Sequence, residues 1–247
     1  MLLLGLLPAC SSAGGEGSSP STSAPGASGG AGATEPEVPA YAVPGSCSPL
    51  SLTGGTVLPG AAVSRCWGQA LQAHRSVRAW TNGPPDMEAD VELVPSPRMQ
   101  TEAVGGVVVV QDGVASSLVD GQWVTGVLNS DIEDEALVAA AGEFAAAVFS
   151  PPGLAQGVGD CSTWKVAPGR QTLTLHDGSQ PARLVRLDCT APFVAQGATT
   201  TRAALWVRED WTPVHHAATL SIDGVTTESL RDFTDHGARF DIPTPPR

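Results

Sequence analysis

Positive charge is scarce in this chain of 247 residues: Lys and Arg together number 13 against 25 Asp and Glu, a formal net charge of −12. Lys165 is the only lysine, and no basic residue precedes Arg65. A surface of that sign has little with which to neutralise a phosphate backbone, which argues against nucleic acid as a partner. Contact with an anionic membrane would have to be hydrophobic or covalent. Long apolar runs are also missing. The opening MLLLGLLPAC falls well short of the roughly 20 apolar residues that a membrane-spanning helix needs. Catalytic signatures are equally thin: there is no strand-to-helix G-x-S-x-G elbow, no HExxH and no glycine-rich phosphate loop, and Gly14-Gly15 belong to a low-complexity tract. No two cysteines stand at Cys-x2-4-Cys spacing and no histidine lies near Cys47, which argues against zinc. No cofactor is expected and the chain does not read as an enzyme.

What is present divides into three stretches. Residues 11–44 are dense in Gly, Ser, Ala and Pro and cannot bury enough apolar surface to offset the entropy of ordering, so they read as a disordered tether. As a coil this segment spans on the order of 30 Å. Residues 45–247 read as the folded domain, with 42% hydrophobic residues overall to build a core. After Pro59, the residues Val63, Cys66, Trp67, Ala70, Leu71 and His74 recur at helical spacing and predict an amphipathic helix. A second helix is expected from Asp131 to Phe149, announced by a capping box at Ser130 and Glu133 and stopped by Pro151-Pro152. The acidic residues Asp131, Glu133, Asp134 and Glu135 suit the positive end of that helix better than calcium.

Elsewhere the period changes to two. The pairs Asp112-Gly113, Asp120-Gly121, Asp177-Gly178 and Asp223-Gly224 each separate β-rich runs, among them GVVVVQ, QTLTLH and ARLVRLDC, and predict hairpins. The fold class that results is α+β: one large antiparallel sheet, curved by its twist, with two helices on one face. His215 and His216 are adjacent in a predicted strand and point to opposite faces, so they cannot share a metal. His236, beside Asp235, is expected in a solvated turn. Trp80, Trp123, Trp164, Trp206 and Trp211 read as core or rim residues.

The segment Leu7-Pro8-Ala9-Cys10 resembles a bacterial lipobox, in which a small residue precedes the cysteine that is acylated. On this reading residues 1–10 are the end of a lipoprotein signal peptide whose start lies upstream, and Cys10 carries the lipid. Four of the five cysteines then remain. They allow three pairings, of which the sequence-local one, Cys47 with Cys66 and Cys161 with Cys189, is the most economical. Disulfides fit an exported protein.

Further motifs resemble the LppX/LprA/LprF/LprG family of mycobacterial and actinobacterial lipoproteins, within the LolA-like superfamily. They are Leu118 to Val124, Pro152-Gly153-Leu154-Ala155, Leu205-Trp206-Val207, Thr212-Pro213, Phe233 to Gly237 and Phe240-Asp241-Ile242-Pro243. The use of Arg in place of Lys, with abundant Ala, Gly, Val and Pro, matches a GC-rich genome such as that of an actinobacterium. The resemblance implies a curved half-barrel with helices on its concave face and an apolar cavity for acyl chains. Candidate lining residues are Val107, Val109, Leu137, Ala141, Phe144, Val148, Leu205, Val207, Leu220 and Ile222. It also implies a non-catalytic lipoprotein on the outer face of the cytoplasmic membrane that binds or transfers lipid or glycolipid. The alternative is a sensory or protein-interaction module of the envelope with a filled core.

Overall fold

The computed structural model describes residues 41–83, 86–103, 106–195 and 197–246. The stretch 1–10, its expected acylation residue Cys10 and residues 11–40 of the expected tether lie outside the described residues. The elements in chain order are β1 (Val57–Pro59), α1 (Gly60–Ala73), β2 (Ser76–Thr81), β3 (Met87–Glu92), β4 (Arg98–Ala103), β5 (Gly106–Gln111), β6 (Val114–Val119) and β7 (Gln122–Thr125). Then follow α2 (Glu133–Phe149), α3 (Pro151–Leu154), β8 (Thr163–Val166), β9 (Val185–Cys189), β10 (Phe193–Ala195), β11 (Ala198–Val207), β12 (Pro213–Ile222) and β13 (Val225–Thr234).

The strands form one antiparallel sheet in the order β1-β8-β9-β11-β12-β13-β2-β3-β4-β5-β6-β7, with β10 paired to β11. The sheet is not closed into a barrel, and its helices share one face, as the α+β reading expects. Asp112-Gly113, Asp120-Gly121 and Asp223-Gly224 have positive φ at both residues, as a type I′ turn requires. The fourth pair departs from expectation. At Asp177-Gly178 only the glycine has positive φ, and QTLTLH forms no strand. Its one ladder contact is the isolated bridge Gln171 to Leu184. β9 takes β8 and β11 as its partners instead.

Both helices form where the apolar spacing puts them. α1 buries Val63, Cys66, Trp67, Ala70 and Leu71, with His74 as its C-cap. Its first residue lies against the segment leading into β8: a Cβ on Gly60 would stand 1.6 Å from the Cys161 carbonyl oxygen, so only glycine fits. α2 begins at Glu133, two residues later than expected, because the capping box does not form. Ser130 Oγ accepts from the Ile132 amide and donates to Glu135 Oε2 at 2.6 Å, while extended Ile132 occupies the cap position. Pro151 and Pro152 end α2 and open the single turn α3, whose Gly153 amide donates to Ser150 Oγ.

One contiguous core joins the helices to the sheet through Trp67, Leu71, Phe149, Leu154, Trp164, Leu187, Leu205 and Phe233. The indole Nε1 of Trp67 donates to the Leu154 carbonyl and that of Trp164 to the Val158 carbonyl, so neither is orphaned in the core. The disulfides Cys47–Cys66 and Cys161–Cys189 have the sequence-local pairing. The first ties the entry segment to α1, the second ties β8 to β9. By the chain-entropy argument each contributes about 3–4 kcal/mol.

α2 rests on β5 and β6 through Gly142, where an added Cβ would stand 2.1 Å from the Cβ of Ala115. Gly142→Ala therefore sets two effects against each other: helix propensity favours alanine by about 1 kcal/mol, while overpacking costs about 1–3 kcal/mol. The expected net result is a lower urea midpoint with an unchanged slope; a raised midpoint would show that α2 is free to shift.

Candidate functional site

The face of β5 that meets α2 is set by Val108 and Val110. Val110 lies in register with Ala115, the residue under Gly142. Between α2 and this part of the sheet runs a groove of about 300 Å3 lined mainly by Val110, Val114, Leu128, Ala139 and Ala146, with Glu143 at its edge as the one charged lining residue. Ala139, Gly142 and Ala146 lie on one stripe of α2: Gly142 brings the helix onto Ala115, and the short side chains of Ala139 and Ala146 leave space beside that contact. The solvent side of α2 is apolar too: Leu137 is 45% and Phe144 57% exposed, and Ile132 just before the helix is exposed as well.

The expected lining residues divide into five pairs. Ala141 and Val148 are half-buried against the core at the flank of α2, and Leu205 and Val207 are fully buried within it. Leu137 and Phe144 face solvent. Leu220 is half-buried and Ile222 exposed on the helix-bearing face, where β12 and β13 run out beyond the helices. Val107 and Val109 correct the expectation. Strand alternation turns them to the opposite face, because a run of four valines fixes a period but not a side. The groove residues Val110, Val114, Leu128 and Gly142 had no distinguishing signal in the sequence.

The opposite face carries its own small core of Leu175, Leu184, Ala204, Trp206 and Val214 under the segment 167–184. Asp232, 2% exposed, fastens that segment to the sheet. It accepts from the His176 amide at 2.7 Å, from His176 Nδ1 at 3.0 Å and from His215 Nδ1, while His176 Nε2 meets Glu88 at 3.1 Å. The His176 ring stacks on Trp80 at 4.6 Å. Burial opposes ionisation of Asp232, but the hydrogen bonds from His215 and His176 together outweigh it and hold its pKa below the usual carboxylate value. This network ties the segment 167–184 to the sheet. His216 points to the other face, as the strand reading requires.

A third cluster stands at the end of α1. The Tyr41 ring packs at 3.8 Å on His74, and its hydroxyl donates to the Asp210 carbonyl, so this residue of the expected tether touches the domain. His74 Nε2 pairs with Thr212 Oγ1 at 3.1 Å, and the His236 ring lies 4.6 Å from that of His74. His236 is thus packed rather than solvated, which corrects the expectation for its turn. Burial pushes His74 down to about 4; burial, helped by His74 and Arg208, pushes His236 down to about 3.

The class defined by this architecture is an open antiparallel sheet with helices along one face and an apolar groove under α2. Two solved structures are similar to the chain. LprF from Mycobacterium bovis is 15% identical, covers 75% of this chain and 96% of its own, and has a TM-score of 0.46. The lipoprotein LppX from Mycobacterium tuberculosis is 13% identical, covers 74% and 98%, and has a TM-score of 0.47. No protein-family profile and no curated protein matches the chain. Neither likeness carries a ligand or a residue role over to this protein. Among the described residues no helix is long and apolar enough to cross a membrane, and no cluster of His, Cys, Asp or Glu could hold a metal ion.

The buried histidines predict a pH dependence. Folded pKa values below the ordinary 6.5 mean that folding favours the neutral rings. Their stabilisation is complete above about pH 6.5 and is lost as the pH falls toward 4. The expected outcome is a Tm that drops steadily between pH 6.5 and 4. His236→Phe, which keeps a ring but binds no proton, should flatten the drop; an equally steep profile in the variant would reject this assignment.

Proposed function

We propose that this protein is a lipid-binding lipoprotein of the outer face of the cytoplasmic membrane, anchored through an acylated Cys10, that binds or transfers lipid without a catalytic step. The supporting observation is an apolar helix-bearing face that its helices do not fully cover. It is open at the groove under α2 and again where Leu220 and Ile222 extend past the helices. Acyl chains suit such a surface because burial of each CH2 contributes about 0.8 kcal/mol. The resemblance of the C-terminal motifs to the LppX/LprG-type lipoproteins and the lipobox at Cys10 agree with this reading, in which the Gly/Ser/Pro-rich residues before Tyr41 would supply the reach from bilayer to domain.

A second reading rests on one specific observation. Under α1 the same face is packed solid by Trp67, Phe149, Trp164 and Phe233, all fully buried. A filled core with surface contacts only would make the domain a protein-interaction module of the envelope, and crosslinking in cells would then recover one stoichiometric protein partner.

Native mass spectrometry of the protein purified from a lipid-containing host separates the two. The lipid reading expects a copurified acyl lipid and saturable uptake of a fluorescent fatty acid. Ala146→Leu, which fills the groove, or Leu220→Asp, which charges the uncovered strand end, should weaken that uptake about tenfold while Tm changes by only a few degrees. A lipid-free protein that takes up no probe, or variants that bind as the parent does, would overturn it.

A further inference from the structure

Two large polar side chains stand side by side on the helix-bearing face. The cross-strand row there runs Leu187, Leu205, His216, Arg231, Thr81 and Met87 across β9, β11, β12, β13, β2 and β3. His216 and Arg231 are in register on adjacent strands, which puts their Cβ atoms about 5 Å apart. Arg231 Nη1 donates to the Gly153 carbonyl in α3 at 2.6 Å. Its Nε is enclosed with no hydrogen-bond partner, and so is Nδ1 of His216.

Among the described residues no carboxylate pairs with this guanidinium, and burial alone lowers its pKa. The neighbouring Asp232 is turned to the opposite face and engaged by His215 and His176. His216 is neutral, its pKa pushed to about 3 by burial, with Arg231 and His215 adding to the effect. A largely buried guanidinium without a counter-charge is costly to fold, and so are two buried nitrogens without hydrogen-bond partners. Two apolar residues of similar size would pack here without that cost, so the pair marks a place that a ligand from outside the chain could complete.

The position supplies the direction of approach. Along β13, exposure on this face rises from Phe233, which is 1% exposed, through half-buried Arg231 and Ser229 to exposed Thr227. Arg231 therefore stands where the cover of the helices ends. Beyond it the partners of Ser229 and Thr227 on β12 are Ala218 and Leu220, so the face continues as small and apolar side chains interspersed with hydroxyls.

We propose that Arg231 and His216 form an anion site that takes a carboxylate or phosphate group, with the rest of an amphiphilic ligand lying along Ala218 and Leu220. The ligand class is thereby an acidic lipid rather than a neutral glyceride. The guanidinium supplies charge and Nε–H, and the neutral imidazole supplies Nδ1–H to a second oxygen. The identity of the ligand as a lipid rests on the function proposed above; the anion site does not.

Equilibrium binding of oleate, oleyl alcohol and inorganic phosphate to the full chain and to Arg231→Met tests this. The wild-type protein should bind oleate about tenfold more tightly than oleyl alcohol, and the variant should bind both alike. Equal wild-type affinity for the two amphiphiles, or a preference that survives in the variant, overturns the anion site while leaving the lipid reading in place. Binding of inorganic phosphate that depends on Arg231, with no binding of either amphiphile, supports the anion site and removes the lipid. No binding of any of the three overturns both. Should Arg231→Met fail to fold, the wild-type comparison of acid with alcohol still decides.

Discussion

A dozen strands in line present more apolar area on one face than one four-turn helix, one five-turn helix and a single extra turn can cover. Much of the structure follows from that imbalance of area. Cover is concentrated at the middle strands, where α1, the end of α2 and α3 press Trp67, Phe149 and Leu154 against Leu205, Val207 and Phe233. It thins under α2, whose contact stripe of Ala139, Gly142, Ala145 and Ala146 brings the helix backbone close without filling the space beside it. It is absent along the last residues of β12 and the first of β13. The places where a ligand could contribute burial are those where the chain's own helices do not.

The opposite face is handled by a different device. It borrows the 167–184 segment, too irregular to be a strand, as a lid over Trp206 and Val214. That lid is secured by polar contacts rather than by area: Trp206 Nε1 donates to Gln171 Oε1 at 2.8 Å, and the buried Asp232 gathers His176 and His215. Consecutive residues of β13 thereby serve opposite sides. Asp232 is satisfied among histidines on one face, and Arg231 faces the helices with one carbonyl and no counter-charge. Pairing the two would have been trivial within a loop, but the alternation of a strand forbids it.

Much of this was legible in the residues. The i, i+3, i+4 series from Val63 to Leu71 named the buried side of α1, three Asp-Gly pairs marked the tight hairpins, and the even set of cysteines left beside Cys10 matches the two bridges. The opposite orientations of His215 and His216 followed from strand geometry. Where the reading failed, a local pattern had more than one solution. Ser130 satisfied Glu135 by another route than a capping box, QTLTLH lost its strand because β9 found better partners, and His236 was drawn into contact with His74 from a turn that composition alone would leave in water.

The amino-acid sequence by itself determined the class of fold, the positions of both long helices and most of the hairpins, because each of these depends on spacing between residues near one another in the chain. Only the tertiary structure decided which valines of GVVVVQ face α2, where the helices stop covering the sheet, and that Arg231 is left enclosed beside His216 without a carboxylate. Those outcomes depend on registers between strands far apart in the chain, and a shift of one residue in register moves every side chain to the other face.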